Sequence, residues 1–133
     1  MNDRKPTLCI VAGPNGSGKT TTTIQLLNDE WTADSYFIRL FYVCTSTPKI
    51  NVARITQRYL DGGHEVPISK VISRYYKSLL NAAKAISFVD RAYIYDNSVD
   101  NQLPRLLFRT TDGQLFKQYT DDIPEWAKLL IKK

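Results

Sequence analysis

Eight consecutive residues, Gly13-Pro14-Asn15-Gly16-Ser17-Gly18-Lys19-Thr20, constrain this chain more than any other segment. They follow directly on Thr7-Leu8-Cys9-Ile10-Val11-Ala12, an apolar run rich in strand formers that reads as a strand buried on both faces. A glycine, four residues and then Gly-Lys-Thr, placed between a strand and a helix, is the signature of a phosphate-cradling loop. Gly13, Gly16 and Gly18 allow backbone conformations that a side chain forbids, so successive N–H groups converge on one anion. The helix expected to start near Gly18 adds its positive N-terminal end. Binding residues are therefore expected at Gly13, Pro14, Asn15, Gly16, Ser17, Gly18, Lys19, Thr20 and Thr21. Lys19 would place a point charge at the β- and γ-phosphates, the Thr20 hydroxyl would ligate Mg2+, and Thr21 would hydrogen-bond an α- or β-phosphate. The ligand these residues predict is a nucleotide polyphosphate with Mg2+. Binding alone is not catalysis, because phosphoryl transfer also needs a group that positions or deprotonates the acceptor.

The rest of the chain reads as one domain, 1–133, since 133 residues lie within the usual single-domain range. Hydrophobic residues at 43% and charged residues at 23% exclude a disordered or collagen-like chain. No apolar run approaches the roughly 20 residues that span a bilayer, so the expected setting is cytoplasmic, with no membrane partner. Cys9 and Cys44 each sit in an apolar stretch and are read as buried free thiols. A helix is expected over Thr20 to Asn28 and a second strand over Tyr36 to Cys44. Thr47 as N-cap and Pro48 at the first helical position start a helix that ends at Asp61-Gly62-Gly63, with Ile50, Ala53 and Ile55 on its apolar face. Another helix follows from about Ser69 to Asn81, then a buried strand from Ala92 to Tyr95. A β-hairpin is predicted around Thr111-Asp112-Gly113-Gln114, and a closing helix with Trp126, Leu129 and Leu130 on its apolar face, so hairpin and helix together occupy about 105–131. Strands alternating with helices imply an α/β sheet whose ligand lies at the carboxyl ends of the strands.

The net charge of +5 permits a nucleic-acid partner, but it equally suits a protein that holds polyphosphates. No aromatic stacking pattern or arginine-rich tract is visible along the chain, so nucleic acid is not the expected partner. Arg54 and Arg58 precede Gly62-Gly63, while Lys70, Arg74 and Lys77 form a stripe after it. Cations on two helices around a Gly-Gly loop suit either a lid closing over a phosphoryl group, at about 54–77, or a solvated helix surface. His64 is the sole histidine, which excludes a histidine metal cluster. Tyr75, Tyr76, Tyr93 and Tyr95 are assigned to packing.

The segments Tyr42-Val43-Cys44-Thr45-Ser46, Arg54-Ile55, Gln57-Arg58, Gly62-Gly63-His64-Glu65-Val66-Pro67, Arg74-Tyr75, Ser78-Leu79, Asn81 and Asp90 to Ser98 together resemble the zeta-toxin-like P-loop kinases. Leu106-Leu107-Phe108-Arg109 and Pro124-Glu125-Trp126 extend the resemblance to nearly the whole chain. It implies a P-loop NTPase fold of the nucleoside-monophosphate-kinase type: a parallel sheet flanked by helices, here reduced in strand number, with a C-terminal hairpin and helix. It also implies transfer of the γ-phosphoryl of ATP or GTP to a sugar nucleotide such as UDP-N-acetylglucosamine, and an antitoxin-type protein partner. By the same resemblance Arg58 and Arg74 join Lys19 as catalytic candidates; Asp96, which ends the strand from Ala92 to Tyr95, has the pattern of a Walker-B carboxylate and joins Thr20 as a secondary metal candidate, although the family places this segment near the nucleotide base.

The chain departs from that family between the phosphate loop and the second strand. The family places a strand with the catalytic acid, and an acceptor-binding region, where this sequence has only Asp29-Glu30-Trp31-Thr32-Ala33-Asp34-Ser35. A βαβ crossover alone needs about ten or more residues. Asp29, Glu30 and Asp34 supply carboxylates there, but no strand end assigns one of them as a base. Two readings stay open: a kinase with a reduced acceptor site, and a nucleotide-binding module that acts through a protein partner. A missing strand also predicts an uncovered sheet edge, which self-association as a homo-oligomer would cover.

Overall fold

The computed structural model describes residues 5–14, 35–62 and 67–131. Its strands are β1 (Thr7–Ala12), β2 (Phe37–Cys44), β3 (Arg91–Asp96), β4 (Arg105–Thr111) and β5 (Gln114–Gln118), and its helices α1 (Pro48–Leu60), α2 (Ile68–Ile86) and α3 (Glu125–Lys128). The strands form one sheet in the order β1-β2-β3-β4-β5. The first three are parallel, and β4 and β5 are added antiparallel. The fold is thus α/β with a mixed sheet rather than the parallel sheet expected. The helix expected over Thr20 to Asn28 lies outside the described residues.

Alternation along β2 builds the core. Ile38, Leu40, Tyr42 and Cys44 are buried, and their parallel neighbours Ala92, Ile94 and Asp96 of β3 share that face. α2 packs on this face through Val71, Tyr75, Leu79, Ala82, Ala85 and Ile86, spaced three and four apart as one helical stripe requires. The helix runs five residues beyond the predicted end at Asn81. Asn is a poor helix former, but the alanines that follow are strong ones, and Ala82, Ala85 and Ile86 gain burial by continuing. Buried hydroxyls hold the layers in register: Tyr42 and Ser78 share a hydrogen bond of 2.8 Å, and Tyr75 donates to the Thr45 carbonyl at 2.6 Å.

The hairpin forms as predicted, with Asp112 and Gly113 at φ 51° and 81°, the two positive values that a tight two-residue turn between twisted strands needs. α1 starts at Pro48 after Thr47, and Gly62, at φ 100°, follows its end. Its anchor is the buried Asn51, which bonds Thr45, whereas Ala53 faces solvent. In the closing segment Trp126, Ala127 and Leu130 are buried, and Leu129 is 73% exposed, contrary to its expected place on the apolar face.

Two expectations about β1 fail for one reason. β1 is the edge strand of the described sheet and pairs with β2 alone among the described strands. Leu8, Ile10 and Ala12 pack against the core, but Thr7, Cys9 and Val11 are exposed, so β1 is not buried on both faces and Cys9 is not a buried thiol. Cys44 is buried as expected. The edge position of β1 is what a missing strand predicts. Among the described residues the helices that contribute to the core do so on one face of the sheet, not on both.

Candidate functional site

β1, β2 and β3 end at Ala12, Cys44 and Asp96, and the segments that leave those ends meet there. Gly13 is the first residue beyond β1, and it lies against β2 so closely that an added Cβ would stand 2.6 Å from the Val43 carbonyl oxygen. Pro14 is buried beside it. The first position of the phosphate-loop signature is therefore a glycine for want of space. Asn15, Gly16, Ser17, Gly18, Lys19, Thr20 and Thr21 lie outside the described residues, as do Asp29, Glu30, Asp34 and His64.

Hydrogen bonds tie the ends of β2 and β3 together. The Asn97 N–H donates to the Cys44 carbonyl at 2.8 Å, and the Ser46 N–H donates to the Ser98 hydroxyl at 2.8 Å. Beside this junction a cleft of about 890 Å³ opens between α1 and the segment 97–102, lined by residues that include Arg54, Gln57, Arg58, Asn97 and Asp100. It lies at the carboxyl side of the parallel strands, where α/β sheets bind ligands.

The cations predicted to form a lid separate in the structure. Arg58 lines the cleft. Arg54 also lines it but is tied to Asp100 at 2.9 Å. Lys70, Arg74 and Lys77 are exposed on α2, and none of them lines the cleft.

Asp96 is buried, and both its oxygens are engaged: Oδ2 accepts from Trp126 Nε1 at 2.9 Å and Oδ1 from the Ser98 N–H at 2.8 Å. These two bonds fasten the C-terminal helix to the sheet and leave one lone pair on each oxygen. A second cavity, of about 360 Å³, borders it and is also lined by Arg105 and Asp122, which pair at 3.7 Å. No group of three or more His, Cys, Asp or Glu side chains that could hold a metal occurs among the described residues. Burial pushes the Cys44 thiol up to about 11 and raises the Tyr42 and Tyr75 phenols as well, so these groups stay neutral.

Sequence reasoning assigned Tyr93 and Tyr95 to packing and missed the face they stand on. On the side of the sheet away from α2, one lateral row runs Val11, Phe41, Tyr93, Arg109, Lys117, and the next runs Cys9, Arg39, Arg91, Thr111, Gln114. Each strand supplies only two of these residues, so no local stretch of sequence displays the cluster. Tyr76, also assigned to packing, is 55% exposed on α2. No helix among the described residues is long and apolar enough to cross a membrane. No protein-family model, curated protein or solved structure matches the chain.

Proposed function

We propose that this chain binds a nucleoside triphosphate as its Mg2+ complex, in the manner of the zeta-toxin-like P-loop kinases it resembles. The observation that carries the reading is the placement of Gly13. The signature Gly13 to Thr20 follows the carboxyl end of a strand in the parallel part of the sheet, its first glycine is held against the Val43 carbonyl, and a cleft containing Arg58 opens at the same end. In this reading the loop amides and Lys19 hold the phosphates, Thr20 is the residue that the motif assigns to the metal, and Arg58 faces the bound ligand. Asp96, each of whose oxygens already accepts one hydrogen bond, stays the secondary metal candidate.

Transfer of the γ-phosphoryl to a sugar nucleotide such as UDP-N-acetylglucosamine is the first form of the proposal. The second is a binding module that acts through a protein partner. One observation favours the module: among the described residues each carboxylate lining these two cavities already has a partner, Asp96 in Trp126 and Ser98, Asp100 in Arg54, and Asp122 in Arg105. A general base needs a carboxylate within hydrogen-bond reach of the acceptor.

Lys19→Ala tests the binding claim. Loss of one charge-assisted contact, about 1.5–3 kcal/mol, should weaken ATP binding by roughly 10- to 150-fold in calorimetry. Unchanged affinity refutes the phosphate cradle. Assay of γ-phosphoryl transfer to UDP-N-acetylglucosamine and to water then separates the two forms: sugar phosphorylation that Lys19→Ala abolishes establishes the kinase, and tight binding without turnover establishes the module.

A further inference from the structure

The face of the sheet opposite α2 carries four cations, Arg39, Arg91, Arg109 and Lys117, and none of the five strands places an Asp or Glu on it. Arg39 and Arg91 are direct neighbours across β2 and β3, and Arg109 and Lys117 across β4 and β5. Like charges placed directly opposite one another destabilise a sheet. None of the four is in an ion pair with a described carboxylate.

Aromatic rings lie between these cations. Phe41 and Tyr93 stack at 4.9 Å with their planes 8° apart. Arg39 and Arg91 both reach the Phe37 ring, at 5.6 and 5.4 Å, and Arg109 sits 4.1 Å from the centre of the Phe116 ring, which is 60% exposed. Among the described residues four buried side-chain polar atoms lack a hydrogen-bond partner, and three of them belong to this face: Arg39 Nε, Arg109 Nε and Thr111 Oγ1. Buried polar groups in native proteins are nearly always paired, so three orphans among the residues of one face leave hydrogen-bonding capacity that no described residue uses.

We propose that this face binds single-stranded nucleic acid. Guanidinium groups bond phosphate oxygens, and aromatic rings and guanidinium planes stack on unpaired bases. The two rows carry both kinds of group within neighbouring strands, about 4.8 Å apart. An acidic polypeptide would satisfy the cations and leave the rings unused, whereas a duplex would offer phosphates with its bases already stacked. The surface uses neither the phosphate loop nor the cleft, so it stands or falls independently of nucleotide binding.

The test is fluorescence anisotropy with a short labelled oligouridylate, comparing the parent with Arg39→Gln/Arg91→Gln, Arg109→Gln/Lys117→Gln and Phe116→Ala. The parent should bind in the micromolar range at about 50 mM salt, with log K falling against log salt at a slope of about −2 to −3 for three to four phosphate contacts. Each double substitution should weaken binding at least tenfold, and Phe116→Ala should do so about tenfold through lost stacking. The matching oligothymidylate should bind with comparable affinity, since phosphates and bases are common to both strands. The two double variants alter different rows, so if one fails to fold the other decides. Absence of binding at about 100 μM protein overturns the proposal. So does an affinity that survives both double substitutions, equal affinity for duplex RNA, or displacement by polyglutamate at the same concentration as by unlabelled oligouridylate.

Discussion

Gly13→Ala is the sharpest test of how the sheet positions the phosphate loop. The added methyl would lie 2.6 Å from the Val43 carbonyl oxygen, and ordinary contact begins at 3.4 Å, so the backbones must part by about 0.8 Å. Neither partner is a flexible side chain that can swing away, since both belong to paired strands or their ends. A ladder bond of about 2.9 Å lengthened by that amount reaches about 3.7 Å and is lost as a hydrogen bond. Loss of one such bond costs about 1 kcal/mol, and residual overpacking brings the total to about 1–3 kcal/mol. For a domain of this size each kcal/mol lowers Tm by about 4 °C, so thermal unfolding followed by circular dichroism should shift down by about 4–12 °C. The same displacement moves the first residue of the loop, and ATP affinity measured by calorimetry should fall by more than the stability loss alone explains. A Gly13→Ala protein with the parent's Tm and the parent's ATP affinity would refute the close approach as the reason for glycine.

Two titrations probe other parts of the molecule. Cys44, raised by burial to about 11, is held neutral in the fold, so the unfolded chain loses its proton first. Stability should therefore be full below about pH 9 and decline as pH rises from about 9 to 11, by up to about 2–3 kcal/mol; denaturant midpoints across that range should fall more steeply for the parent than for Cys44→Ala, while iodoacetamide at pH 8 modifies the exposed Cys9 and spares Cys44. Burial alone would raise the Tyr93 phenol, but the guanidinium groups of Arg91 and Arg109 beside it, with Arg39 near, more than offset this and hold it below the usual tyrosine value. An ultraviolet titration should show one phenol that ionises ahead of the rest, absent in Tyr93→Phe and restored toward the ordinary range in Arg39→Gln/Arg91→Gln; a Tyr93 that titrates with the others would show that the cationic face lacks the potential assigned to it.

The elements with strong local signals were legible. Thr47-Pro48 fixes where α1 starts, Asp112-Gly113 supplies a turn that only positive φ closes, and the stripe from Val71 to Ile86 has helical spacing. What the sequence hid depends on register. An apolar run such as Thr7 to Ala12 looks the same in a central strand as at an edge, because its composition does not say how many neighbours it has. The acid Asp96 fits a metal ligand by pattern, yet Trp126, thirty residues away, takes one of its oxygens. The cationic face is the extreme case. Arg39, Arg91 and Arg109 come from three strands, each reads as one polar residue in an apolar run, and only the pairing of β2, β3 and β4 brings them together.

The position of β1 links the short connection after the phosphate loop to the behaviour expected of the site. In the middle of a sheet the strand that carries such a loop is held by a ladder on each side. Here, among the described strands, β2 alone holds it, and Val11 near its carboxyl end is 73% exposed. Edge strands open more readily than core strands, so the loop's anchor belongs to the less stable part of the molecule while α2 and β2 form the more stable part. A ligand that binds only the closed form then stabilises β1 in proportion to the logarithm of its concentration over Kd. Nucleotide affinity and edge stability are in this way one coupled quantity, and a partner or second copy that paired with β1 would raise both together. The cationic face, which draws its arginines from β2, β3 and β4, does not share this dependence. Loosening β1 should cost nucleotide binding first and leave that face nearly intact.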